Sequence, residues 1–137
     1  MARLLFGTAG VPLSSKPRTT QSGIECLREL GLDCLEIEFV RGVKMGGETA
    51  ALVAQKAQKE GITLTAHAPY FINLNAREIE KIEASQQRLL QTARIASICG
   101  ARSIVFHAAY YLGESPDKVY TTVKKHLQEV TAQLKEE

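Results

Sequence analysis

Hydrophobic and polar positions along this chain switch between two periods. Cys34, Leu35, Glu36, Ile37, Glu38 and Phe39 alternate at every step, the period of a strand with two unlike faces. Thr63 to His67 and Ser103 to His107 behave the same way, and Leu4 to Phe6 is a short apolar run ending at Gly7, Thr8, Ala9 and Gly10. Between these runs the apolar spacing lengthens to three and four. Thr19 or Thr20 is placed to cap a helix whose apolar positions include Ile24, Leu27 and Leu30. Residues 48–60 and 76–99 read as two further helices. Ser115 and Pro116 open a fourth, and Val119, Val123, Leu127, Val130 and Leu134 form its apolar stripe.

The expected order is therefore strand, helix, repeated four times. Gly31, Gly61 and Gly100 each follow a helix and precede a strand by a few residues. Glycine suits the left-handed position that ends a helix because it has no Cβ. Short links of this kind, with no hairpin signal, predict a parallel sheet. The faces narrow the architecture further. Leu35, Ile37 and Phe39 share one side and Glu36 and Glu38 the other; Leu64 and Ala66 oppose Thr63, Thr65 and His67; Ile104 and Phe106 oppose Ser103, Val105 and His107. A sheet covered on both faces would be apolar on both. Here one face is small or polar, which favours an α/β fold of the parallel β/α barrel (TIM) type over a doubly wound sheet. The same parity puts His67 and His107 on the inner face, at the C-terminal strand ends where such barrels build active sites.

Composition adds little. Hydrophobic content is 45% and charged content 23%, ordinary for a globular chain. No run predicts a membrane span, and residues 1–7 lack a signal-peptide core, so a cytoplasmic location without membrane contact is expected. A net charge of +2 permits contact with phosphates without the basic excess of most nucleic-acid domains. Cys26, Cys34 and Cys99 are odd in number and match no zinc spacing, which predicts buried, reduced thiols.

His67-Ala68-Pro69-Tyr70-Phe71-Ile72-Asn73-Leu74-Asn75 resembles the H-x-x-Y-x-I-N-L motif of the endonuclease IV family of apurinic/apyrimidinic endonucleases, members of the xylose-isomerase-like group of β/α barrels. Glu38 to Val43 resembles the second-strand end of archaeal-type members, and Phe106-His107 resembles the fourth-strand F-H. The resemblance implies a zinc-dependent phosphodiesterase that cuts double-stranded DNA 5′ to abasic sites in base excision repair. Within it His67 and His107 correspond to metal ligands, Tyr70 to the tyrosine that enters the DNA, and Arg41 and Lys44 to a DNA-contacting loop. The chemistry is coherent. Clustered metals polarise a phosphate and generate hydroxide near neutral pH. An aromatic wedge supports the kink from which an unpaired nucleotide swings out. Glu38, inner-face and near the rim, is a candidate to orient a ligand histidine by accepting its N–H. His126 reads as a helix-face residue, Glu36 as structural, and Asn73 and Asn75 as loop-holding residues through side-chain bonds to backbone.

A β/α barrel has eight units over about 250 residues. Residues 1–137 supply four, so the expectation is one domain equivalent to the N-terminal half of such a barrel, with an incomplete zinc site and little or no endonuclease activity alone. Its open strand edges predict self-association. The alternative functions are a sugar or sugar-phosphate isomerase or epimerase of the same barrel group, or a non-catalytic half-barrel.

Overall fold

The computed structural model describes residues 3–136. Its elements follow the predicted order: β1 (Gly7–Ala9), α1 (Thr20–Glu29), β2 (Cys34–Glu38), α2 (Gly47–Glu60), β3 (Thr63–His67), α3 (Ile79–Ile98), β4 (Ile104–Val105) and α4 (Pro116–Glu136). The strands form one parallel sheet in the order β1-β2-β3-β4. Four consecutive βα units side by side are half the units of an eight-stranded barrel.

The helix-to-strand junctions repeat one geometry. Gly31, Gly61 and Gly100 have φ of 71°, 69° and 74°. After each, the next residue donates its N–H five positions back, at 2.9 Å: Leu32 to Leu27, Ile62 to Ala57, Ala101 to Ala96. This bond closes the last turn of the helix and aims the chain at the sheet.

The outer face of the sheet carries Leu35, Ile37, Leu64 and Ala66, all buried against Ile24, Leu27, Ala50, Val53 and Ala96 of the helices. A second cluster joins Ala68, Ile72 and Leu74 to Leu89 and Leu90 of α3 and Val130 of α4. The inner face bears Glu36, Glu38, Thr65, His67 and Val105, none of them buried.

Four expectations need correction. The first strand is not Leu4 to Phe6, whose Leu4 and Phe6 are 72% and 62% exposed, but the small residues that follow. Gly7 explains the shift: a Cβ there would stand 1.7 Å from the Cys34 carbonyl oxygen, so only glycine admits this approach. The fourth strand pairs only Ile104 and Val105, leaving His107 beyond the ladder. Helix α3 starts at Ile79, and the residues from 68 to 78 form a loop tied down by the Asn73 side chain and by Ser85 of α3. Of the three free thiols only Cys99 is buried; Cys26 and Cys34 are half-buried.

A candidate metal and DNA-binding rim

Strand register sets the site. Glu38 pairs with His67 and His67 with Val105, so these positions lie in one row across the inner face. Beyond that row the chain turns outward at the C-terminal strand ends. The His67 and His107 rings face each other there, centroids 5.3 Å apart and planes tilted by 51°. His67 is half-buried and His107 exposed.

His67 Nδ1 lies 2.8 Å from the Ala68 carbonyl oxygen. A carbonyl only accepts, so Nδ1 is the donor of this bond; in a neutral ring that leaves the lone pair on Nε2, the form a ligand histidine requires. The backbone thus orients this ring. Glu38 is exposed, with its carboxylate over Gly10, where a Cβ would stand 3.4 Å from Oε2.

The loop after β3 divides its side chains by face. Tyr70 and Phe71 are 56% and 65% exposed, whereas Ile72 and Leu74 are buried under α3 and α4. Arg88 Nη1 donates to the Phe71 carbonyl at 2.8 Å, and Ser85 Oγ accepts the Asn73 N–H at 3.0 Å while donating to the Lys81 carbonyl. Asn73 and Asn75 do hold this loop through side-chain bonds to backbone. Sequence reasoning missed Ser85 and Arg88. Their signal was a small hydroxyl within the apolar stripe Ile82, Leu89 and Ala96, with an arginine three residues on.

Arg41 and Lys44 are exposed on the loop after β2 and make no hydrogen bond or ion pair among the described residues. Together with Glu38, Thr20 and Met45 they line a recess of about 350 Å³. The Tyr70 N–H reaches the Val40 carbonyl at 3.4 Å, which sets the tyrosine loop beside the Arg41 loop. His126 lies away from this rim, on α4, with Nδ1 3.0 Å from Glu129 Oε2. That hydrogen bond, followed by one from Gln86, holds the Glu129 carboxyl below its usual range.

The residues present fit part of a zinc site. They offer two adjacent imidazoles, one with its Nδ1 bound to a main-chain carbonyl and its Nε2 free of that bond; a catalytic zinc normally takes three protein ligands. Among the described residues no three His, Cys, Asp or Glu side chains are grouped closely enough to hold a metal ion. No helix among them is long and apolar enough to cross a membrane.

Four consecutive βα units on one parallel sheet define a protein of the β/α barrel class. Residues 24–137 match the xylose isomerase-like TIM barrel family, and the chain belongs to it. It is 41% identical over 131 residues to the uncharacterized protein MJ0133 of Methanocaldococcus jannaschii, covering 96% of this chain and 46% of that protein. The chain thus spans less than half the length of this relative. Endonuclease IV from Thermus thermophilus superposes with a TM-score of 0.69 at 19% identity, over 93% of this chain and 48% of the enzyme. L-ribulose 3-epimerase superposes with a TM-score of 0.72 at 15% identity, over 93% and 45%. These two likenesses establish the barrel fold and leave nuclease and epimerase chemistry equally open.

Proposed function

We propose that the chain is the N-terminal part of an endonuclease IV-like phosphodiesterase, acting on the backbone of double-stranded DNA at abasic sites. The observation that carries this reading is the combination of the His67–His107 pair with an exposed tyrosine on the loop that follows His67. His67 and His107 would hold zinc, whose role when bound is to polarise the phosphate and activate water. Tyr70 would enter the duplex at the lesion. Arg41 and Lys44, which have no carboxylate partner among the described residues, would contact phosphates. Glu38 would act from its place in register with His67. The remaining ligands would come from strands beyond these four, supplied by further chain or by a second copy pairing at the sheet edges.

The epimerase reading needs a closed polyol pocket, and a tyrosine that is more than half exposed at the mouth suits a long substrate better. The test is fluorescence anisotropy with an abasic duplex, its intact counterpart and a ketose competitor. The expected result is preference for the abasic duplex, reduced several-fold by Tyr70→Ala with intact-duplex binding unchanged. Equal binding of both duplexes, or displacement by ketose, would contradict the reading.

A further inference from the structure

His107 sits where the sheet no longer holds the chain. The β3–β4 ladder covers only Ala66 with Ile104 and His67 with Val105. Its last backbone bond runs from the Ala68 N–H to the Val105 carbonyl at 2.8 Å. Past that point the two loops are joined by a different set of bonds. Leu74 N–H donates to the Ala108 carbonyl at 2.9 Å. Asn73 Oδ1 accepts two N–H groups, Asn75 at 3.1 Å within its own loop and Tyr110 at 3.3 Å in the other. Asn75 Nδ2 returns a bond to the Tyr110 carbonyl at 3.0 Å. His107 is thus anchored on both sides to the loop that carries Tyr70, and two asparagine side chains take over from the strand ladder.

We propose that Asn73 and Asn75 are positioning residues: they extend the β3–β4 connection past the end of the sheet, so that His67, His107 and the Tyr70 loop form one rigid unit. The bracket stands independently of the proposed function; its consequence, that the tyrosine and the two imidazoles shift together rather than separately, rests on that reading. The two asparagines act through different atoms. Asn73 uses only its oxygen, so an aspartate in its place keeps both acceptor bonds. Asn75 uses its amide N–H group, toward Tyr110 and also toward the Glu114 carboxylate. An aspartate there removes the donor and sets a second carboxylate against Glu114.

The experiment is NMR on the full chain without metal or DNA, reading amide hydrogen exchange at Tyr110 and the ring-to-ring NOE between His67 and His107. The Arg102 amide, bonded to the Leu64 carbonyl of β3 at 2.9 Å just before β4 begins, serves as the control. Asn73→Ala should speed Tyr110 exchange about five- to tenfold, the effect of one lost hydrogen bond, and weaken the NOE, with Arg102 unchanged. Asn73→Asp should match the wild type, and Asn75→Asp should behave like Asn73→Ala. If Asn73→Ala does not fold, the contrast between the two aspartate variants decides the matter. Unchanged Tyr110 exchange in Asn75→Asp, or loss of protection in Asn73→Asp, overturns the proposal. Because neither readout uses zinc or DNA, failure here is separate from failure of the nuclease reading.

Discussion

Replacing Leu74 by alanine separates the two jobs of the loop after β3. Leu74 is 0% exposed and packs among Ile72, Leu89, Leu90 and Val130, while Phe71, three residues earlier, is 65% exposed. Leu74→Ala removes three carbons, about 2.4 kcal/mol of transfer free energy at ~0.8 kcal/mol each. The residual cavity adds to this, as Leu→Ala changes in packed cores cost about 2.7–5 kcal/mol. A loss of about 3 kcal/mol is expected, a large part of the roughly 7–20 kcal/mol ordinary for a chain of this length. In urea, with a slope of about 2 kcal/mol/M, the midpoint should fall by about 1.5 M. Phe71→Ala should move it by less than about 0.3 M, since exposed substitutions usually stay within ~0.5 kcal/mol. If the two variants shift the midpoint equally, or Leu74→Ala by under about 0.5 M, the division of the motif into a buried anchor and an exposed contact edge is wrong.

Gly7→Ala should destabilise by at least about 1–3 kcal/mol in the same assay, because the new Cβ meets the Cys34 backbone rather than a side chain that can yield; Gly47→Ala, in helix α2 with only Ile98 Cδ1 at 3.9 Å, should be neutral or stabilising. Burial pushes the Cys99 thiol up to about 11 from an ordinary 9.0, so native-state labelling at about pH 8 should reach Cys26 and Cys34 well before Cys99. The same shift makes the unfolded chain lose its proton first as pH rises, so stability should decline between about pH 9 and 11, and Cys99→Ala should remove that decline. Acid should weaken the tie between α3 and α4: the lowered Glu129 carboxyl contributes stability above the ordinary carboxylate range that is lost as pH falls through its folded value, and Glu129→Gln should flatten this arm of the pH–stability curve.

Much of the frame could be read from residue order because it rests on local rules. The three glycines ending helices set the junctions, and the period of two gave the face of His67, which pairs in register with Glu38, whereas His107 falls past the end of the ladder, where that period no longer applies. Hydrophobicity misplaced β1, since Leu4, Leu5 and Phe6 look more like a strand than Gly7, Thr8 and Ala9 do; a backbone clash with Cys34, a residue 27 positions away, decides the matter. The bonds that shape the rim are of the same long-range kind. That Asn73 and Asn75 would reach Tyr110, or that Ser85 would receive the Asn73 N–H, depends on which loops the finished sheet brings together. The orienting partner of His67 is a main-chain carbonyl, which no side-chain pattern can announce.

The central claim, that His67 and His107 act as a metal-binding pair, is most directly tested by titrating the 137-residue chain with cobalt(II) or zinc under conditions where other ligands compete weakly. One bound ion per chain is predicted, with imidazole coordination visible in the cobalt spectrum. His67→Ala and His107→Ala should each weaken binding at least about tenfold, and His126→Ala should leave it unchanged. Binding that survives both rim substitutions, or that disappears with His126, would contradict the account.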